Sequence, residues 1–543
     1  MAVLGKIPLD LIERLEIMRG PGSALYGADA YSAVIDIITR KIPPDRAHFT
    51  VSAGSHKTRN ARWLGGDQWG NFAVVGAVEY HETDGYAPYI SADAQTTLDA
   101  LLHTHASLAP GHENTHLKFL GAQINATGKN TEWMARISLG RDLGMGVGLA
   151  NALDPLGEAN LTTFEARGTW KTQGEDWKAK GVVDTLFYRS TLENAHYFPA
   201  GALGRFSDGV ISSNDILQNT TRLQGTWEYT GIAAHHISVG AGFEVGRTHQ
   251  NSESRNYSIV GGWPISLGSV QTITDSSTWM FGAKDFSHDM QFAYLQDEWR
   301  FHKDWGLTGG VRYDHYADYG DQFSPRLALV WDTTPYLTMK LIFGRGFRGP
   351  SLVDTHARQT PALTANPALK PETVKSLEVV FDYRPHPALR TRINLFRQKT
   401  DDQIQIFTQT DLTSLPLNTA QQIGRGAELE AWWDLDRQTQ LYAAYSYQDS
   451  VDKTTNTDVG YHPHHLFYAR LQHQRKPWLF SLQARYIGDR ARRDGDTRSE
   501  ADTYFFVDGL AHYDITPDWE AEVTLRNLSS CKFSCDGTLG IIR

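Results

Sequence analysis

The strictest constraint in this sequence is a two-residue alternation of apolar and polar side chains that returns in segment after segment. Trp305, Leu307, Val311 and Tyr313 alternate with Thr308, Arg312 and Asp314. Leu327, Leu329 and Trp331 alternate with Arg326, Ala328 and Asp332. Leu337, Met339, Leu341 and Phe343 alternate with Thr338 and Lys340, and Leu377, Val379, Phe381 and Tyr383 alternate with Ser376, Glu378, Asp382 and Arg384. Near the end, Trp519, Ala521, Val523 and Leu525 alternate with Glu520, Glu522, Thr524 and Arg526. Successive side chains of a strand point to opposite faces, so period two over so many segments demands sheet with one apolar face. Weaker runs of the same kind recur in 72–80, 133–140, 164–170, 181–189, 221–229 and 237–246.

The connections alternate as well. Segments 333–336, 385–388, 434–439, 474–477 and 515–518 are short, whereas 346–375, 400–424, 449–464 and 488–503 are long. Short periplasmic turns and long extracellular loops are the habit of an outer-membrane β-barrel, and a soluble sandwich or propeller has no reason to keep that order. The mean hydropathy of -0.41 excludes a bundle of membrane helices. No uninterrupted apolar run reaches about 18 residues. Neither fact excludes a barrel, whose lumen and loops are polar. The 15 Trp and 23 Tyr suit aromatic girdles. A net charge of -10 argues against nucleic acid as a partner. The two cysteines, Cys531 and Cys535, lie in the last stretch of the chain, so there is no disulfide framework, and a Cys-x3-Cys pair without a following histidine is a poor metal site.

One stretch reads differently. Residues 11–40, LIERLEIMRGPGSALYGADAYSAVIDIITR, form strand, hard turn, short helical turn and strand. Leu11, Leu15 and Ile17 share one parity, Arg14 and Glu16 the other, and Glu13 breaks the pattern. Gly20-Pro21-Gly22 ends the first strand because Pro21 fixes φ and the glycines supply unusual backbone angles. Ser23 is placed to N-cap a turn through Leu25 and Tyr26 that Gly27 closes. This stretch resembles the last part of the plug domain of TonB-dependent outer-membrane receptors, I-E-R-[IL]-E-[VI]-[LIM]-R-G-P-x-S-x-L-Y-G followed by V-I-[ND]-I-I-T-[RK]. Arg19, Gly20, Pro21, Ser23, Leu25, Tyr26 and Gly27 match that motif, and Tyr31-Ser32-Ala33 departs from it where the family often has a glycine pair. Two further blocks carry the resemblance. Residues 344–372, GRGFRGPSLVDTHARQTPALTANPALKPE, are similar to F-R-x-P-S and N-P-x-L-K-P-E bracketing an extracellular loop. Residues 418–430, NTAQQIGRGAELE, are similar to a barrel strand ending G-x-E-[LI]-E. The segment 149–157, LANALDPLG, is similar to a subset of the same receptors.

The resemblance implies an all-β fold: a transmembrane antiparallel barrel of about 22 strands in the complete family form, with an N-terminal plug of which residues 1–42 are the C-terminal remnant and 43–543 the barrel. It implies no enzyme and no cofactor. It implies a monomer in the outer membrane that captures a scarce chelated solute outside and releases it inward when TonB, energised by the inner membrane, pulls the plug. A ferric siderophore is the first expectation, haem or cobalamin the alternatives, and a passive porin or adhesin the alternative of another class. Glutamates of the barrel wall clasp plug arginines in similar receptors, which leads us to expect a cluster of Arg19, Glu378 and Glu428 with Arg14 nearby. Ligand contacts are expected in the 344–372 loop from Arg348, His356 and Asn366, with His356 as the residue a haem reading would need.

Both ends of the chain raise expectations of their own. Residues 1–6 are too short for a signal peptide. The plug motif stands almost at the start, so we expect either a fragment or an internally assigned start. A strand at 519–527 should be followed by one more returning strand, but 528–543 lacks alternation. The 529–543 tail is therefore atypical, and truncation or a frame change after Asn527-Leu528 is expected, which would leave a non-functional copy.

Two strings of apparent chemistry are set aside. His112-Glu113-Asn114-Thr115-His116 spells H-E-x-x-H, but zinc hydrolysis needs both histidines on one helix face, and Pro110-Gly111 before it with a strand after it give none. With His103 and His105 the segment could bind a metal weakly at the surface. Gly144–Gly148 lacks the βαβ surroundings of a dinucleotide site.

Overall fold

A computed structural model of the protein describes residues 7–28, 30–204, 206–260, 263–281, 285–358, 360–409, 413–492 and 502–529. Two parts are evident. A two-stranded hairpin, β1 (Ile12–Arg19) and β2 (Ala33–Thr39) with the short helix α1 (Ser23–Tyr26) between them, forms its own sheet. The wall strands from His48–Ala53 to Trp519–Leu525 join one antiparallel sheet whose order closes as a barrel, while Tyr89–Ile90 and Gly111–His112 pair as a small sheet of their own.

Each wall strand pairs with the next in sequence, apart from two loop hairpins, Trp263–Thr272 and Thr457–Asp458, which pair on one side only and leave twenty-one wall strands among the described residues. Arg46, just ahead of the first wall strand, forms an ion pair with Asp518 in the turn before the last, which brings the two ends of the ladder together. The returning strand expected after Asn527 falls on residues 530–543, outside the described residues.

The alternation read from the sequence becomes an inside and an outside. Leu341, Leu377, Leu395 and Leu429 point outward and are exposed, as a lipid-facing surface requires, while Glu378, Asp382, Asn394 and Glu430 point into the lumen and are buried. Tryptophans ring the end with the short turns: Trp305 stacks on Trp331 at 4.9 Å, and Trp133 meets Trp170 edge-on at 5.2 Å. Toward the long loops a second ring holds Tyr313 against Phe323 at 5.0 Å. The eight residue steps from Trp305 to Tyr313 rise about 27 Å along a strand, or about 20 Å along the axis once the usual barrel tilt is allowed for. That distance suits an outer-membrane hydrocarbon layer. A shallow groove floored by Gly181 and Gly225 between Trp170 and Trp227 opens on this lipid face. No helix among the described residues is long and apolar enough to cross a membrane.

On the loop side the strands overshoot the membrane. His235–Val260 alone runs 26 residues. The overshoot carries a separate apolar core of Ala106, Tyr197, Phe198, Ala202, Phe206, Val210 and Tyr257. Asp93, Asp99 and Asp154 hold it by accepting bonds from backbone N–H groups: Thr96 and Leu153 to Asp93, Ala106 and Ser107 to Asp99, Leu156, Gly157 and His196 to Asp154. The 149–157 block is therefore a loop-folding element. The histidines of the H-E-x-x-H string are occupied by separate backbone carbonyls, His112 Nδ1 with Ala87 and His116 Nδ1 with Asp142, and no helix joins them.

The outward parity predicts a specific cost. Val379→Arg, midway along the lipid face of Glu372–His386, should destabilise the refolded barrel in lipid by about 2–4 kcal/mol, the depth-dependent cost of a cation at the bilayer midplane. Denaturant titration in bilayers checks this, with Arg384→Ala near the short-turn rim as the reference that should change little.

Candidate functional site: a hairpin anchored inside the barrel

The hairpin lies in the lumen and is held at several points along its length. At its base Leu11 is fully buried with Leu64, Val75 and Ala77 of the wall. Arg62 pairs with Asp10 at 3.0 Å, the Leu9 N–H donates to Glu79, and Asn125 donates to the Thr39 hydroxyl and the Arg40 carbonyl. Lys41 shares Glu132 with Lys171 at 2.7 and 2.6 Å. Glu13, the residue that broke the alternation, sits at a register shift between Ile12 and Arg14, a bulge that resets the face of the strand.

The turn is built as the sequence suggests, with one change. Gly20 has φ of +78° and Gly27 of +79°, left-handed values that favour glycine. A Cβ on Gly20 would come 2.3 Å from the Glu378 carboxylate, so the turn runs directly against the wall. Gly27 closes α1 through its N–H to the Ser23 carbonyl. Ser23 does not N-cap α1. The cap position is Gly22, and the buried Ser23 hydroxyl donates to the Ala30 carbonyl at 3.2 Å and accepts from the Phe347 N–H at 3.3 Å. It thus ties the turn to itself and to the wall.

Two arginines mark the upper anchors. Arg19, at the end of β1, reaches two carboxylates of the strand Ser414–Asp434: Glu428 at 2.9 Å and Glu430 at 2.5 Å. Glu430 is only 6% exposed against 23% for Glu428. Tyr442 donates to Glu430 at 3.3 Å, and Arg392 stands 3.6 Å from its other oxygen. Asn394 donates to both Glu428 and Glu378, at 3.2 and 3.4 Å. The second anchor starts in the wall. Arg312, 3% exposed, is gripped by the fully buried Asp314 and lies over the Phe292 ring at 3.8 Å. From there it donates to the Leu25 carbonyl at the end of α1, 3.1 Å away. Higher up, the Tyr31 hydroxyl donates to Thr400 at 3.2 Å, and burial pushes this phenol up to about 12, so it stays a neutral donor at working pH.

The expected cluster is therefore partly re-drawn. Arg19 and Glu428 meet. Glu378 does not pair with Arg19: it accepts from Ser376 and Asn394 and abuts Gly20. Arg14 takes no part, because Glu13 and Glu16 of its own strand lie 3.0 and 2.7 Å away and hold it there. Glu430 was missed, although it shares a face with Glu428 two residues on. Arg312 was also missed as an anchor, although its polar parity was legible.

The three loop residues turn out to be committed to the loop. Arg348 binds the buried Glu372 at 2.7 Å. Asn366 accepts from the Ala368 N–H and donates to the Pro416 carbonyl, which shapes the N-P-A-L turn. His356, at the end of the short helix Leu352–His356, shares a hydrogen bond with Thr355 and meets Phe286 edge-on at 4.6 Å; burial lowers its pKa, so it is neutral at pH 7.

A membrane barrel with a hairpin clamped in its lumen defines a class, an outer-membrane barrel with an occupied lumen, and comparison with known proteins places the chain within it. Residues 138–528 match the family model described as TonB dependent receptor-like, beta-barrel. The chain is 25% identical over 557 residues to the iron-regulated outer membrane virulence protein of Vibrio cholerae serotype O1, covering 96% of this chain and 76% of that one. It is 24% identical to the vitamin B12 transporter BtuB of Photobacterium profundum, covering 97% and 77%. Among solved structures it resembles the ferric enterobactin receptor PfeA of Pseudomonas aeruginosa, with TM-score 0.74 and 16% identity over 96% of this chain and 80% of that one. The siderophore receptor PirA of the same organism gives 0.68 and 16% over 96% and 84%.

The chain belongs to the TonB-dependent receptors. It is an outer-membrane protein of the receptor and transporter kind, not an enzyme.

The geometry ranks the anchors. Glu430→Ala should loosen the hairpin more than Glu428→Ala, because a buried carboxylate gives a stronger pair than a half-solvated one, and Arg14→Ala should change nothing. Hydrogen exchange of β1 and β2 in bilayer discs checks the order, with a difference of about 1 kcal/mol between the two glutamates expected.

Proposed function

We propose that this receptor takes up a ferric siderophore, and that Arg19 is the latch holding the plug hairpin in place until TonB pulls. The observation that carries the proposal is the reach of one half-exposed plug arginine to two wall carboxylates on a single strand. A buried hydrophobic anchor releases only when its whole surface is exposed, whereas an ion pair with one solvent-facing partner can be exchanged for water a contact at a time. Such a contact holds at rest and yields under a directed pull. The other anchors fit the same division of labour. Leu11 and the Arg312–Asp314 pair fix where the hairpin sits, and Arg19 governs how firmly its upper strand is held.

The ligand class is supported by the company the chain keeps. An iron-regulated relative and two solved siderophore receptors favour ferric chelates. The vitamin B12 transporters among its relatives favour cobalamin as the second reading. Haem finds less support: His356 is held by Thr355 and Phe286 and is not aimed freely at a ligand.

Uptake separates these readings. Cells expressing the receptor should accumulate radiolabelled iron from a ferric catecholate or hydroxamate in a TonB-dependent manner, and labelled cobalamin should not enter. Arg19→Ala should retain surface binding but change the uptake rate by about threefold or more, the share of a partly exposed ion pair worth about 0.7 kcal/mol. Cobalamin entry without iron entry would move the assignment to the second reading, and uptake unaffected by loss of TonB would move the chain to a passive pore.

A further inference from the structure

Two charges of opposite sign face the lumen near one another and stay apart because the hairpin runs between them. Arg326, on the wall strand Gly320–Thr334, is half-buried and has no carboxylate at ion-pair distance among the described residues. Its guanidinium donates instead to Met18 Sδ of the hairpin at 3.0 Å, and a thioether is a weak acceptor. Glu378 is 7% exposed and has no cation at ion-pair distance among the described residues. It accepts from Ser376 at 3.0 Å and from Asn394 at 3.4 Å. A buried carboxylate without a cation is costly to keep charged.

The register shows what separates them. Arg326 stands opposite Gly344, Gly344 stands opposite Ser376, and Glu378 lies two residues beyond Ser376 on the same face. Two strand spacings and two residues of rise put the Cα atoms of Arg326 and Glu378 about 12 Å apart, within the combined reach of the two extended side chains. Gly344, the position between them, carries no side chain. The hairpin fills that gap: a Cβ on Gly344 would lie 3.4 Å from the Pro21 carbonyl oxygen, and one on Gly20 would meet the Glu378 carboxylate. Met18, Gly20 and Pro21 thus form a wedge that touches Arg326, Glu378 and the gap in turn.

We propose that Arg326 changes partner when the hairpin leaves, from the Met18 thioether to Glu378 across Gly344, and that this wall-to-wall ion pair steadies the released state. The proposal rests on the latch reading above. When Arg19 departs, Glu428 and Glu430 lose its charge, and Asn394 ties Glu428 to Glu378. Carboxylates left so close together without a cation repel one another and resist release, and a wall cation that takes one of them lowers that resistance. Arg326 is therefore a positioning residue for release and not an anchor. The two roles differ in sign. Removing an anchor makes the hairpin easier to release, whereas removing a partner used only in the released state makes release harder.

The test is hydrogen exchange of Ile12–Arg19 in the full receptor in bilayer discs, where exchange reports the released fraction. Arg326→Gln and Glu378→Gln should each slow exchange about threefold or more, the effect of losing a partly exposed ion pair from the released state. The double variant should be no slower than the slower single variant, because both substitutions remove the same pair. Arg326→Lys keeps the charge and should exchange as the parent does. Faster exchange in Arg326→Gln, single effects that multiply in the double variant, or no change in either single variant would each overturn the proposal. Arg19→Ala is measured alongside. Unchanged exchange there would remove the latch reading, whereas faster exchange there with no coupling between Arg326 and Glu378 would remove the partner change alone.

Discussion

Inside a bilayer no water is available to a backbone N–H or C=O, and this requirement shapes the whole molecule. A strand-built protein can satisfy it only by pairing every strand on both sides, which forces the sheet to close. Closure then assigns each side chain to lipid or to lumen by parity alone. The lipid face is filled by Leu, Val, Phe and Trp, and every polar group the protein needs must go inward or beyond the membrane. Glu378, Asp382, Asn394, Glu428 and Glu430 are inward-facing on three consecutive strands for that reason. A lumen so crowded with carboxylates calls for cations, and part of that demand is met by a hairpin from the start of the chain.

The hairpin meets the wall by two kinds of contact with different physics. Leu11 in its apolar pocket and Arg312 between Asp314, Phe292 and the Leu25 carbonyl are dry contacts, costly to break and insensitive to salt. Arg19 is half-exposed and its partners range from buried to partly wet, so its hold is moderate and responsive. One face of the hairpin, with Leu15, Ile17 and Ile35, remains exposed in the lumen. A stable seat with one yielding contact suits the latch proposed above, and the contrast comes from where each charge sits relative to water.

Much of this was legible in the sequence because parity is a physical necessity in a membrane barrel. The inside and outside of Trp305–Tyr316, Glu372–His386 and Ser414–Asp434 follow directly from their alternation, and the order of short and long connections gives the direction of each strand. Glu428 was reachable by the same rule, and Glu430 should have been, since two residues along a strand return to the same face. Arg14 misled because alternation names a face and not a partner; two glutamates of its own strand were closer than any in the wall. Glu13 looked like an error in the pattern and is a bulge. The loop residues were the least legible. Arg348, His356 and Asn366 resemble ligand contacts by position, yet each is engaged by a residue far away in sequence, Glu372, Phe286 and Pro416 respectively, that only folding brings near. Loops lack the periodicity that makes strands readable, so their side chains cannot be assigned by rule.

The account rests on a direct energetic link between Arg19 and the wall carboxylates. A double-mutant cycle of Arg19→Ala and Glu430→Ala, read by hydrogen exchange of the Ile12–Arg19 strand in lipid discs, measures that link without reference to any ligand. The account predicts non-additive effects with a coupling of about 0.7 kcal/mol or more, in the range found for residues in contact within one network. Single effects that add to within about 0.5 kcal/mol would contradict it, since independent sites behave in that way.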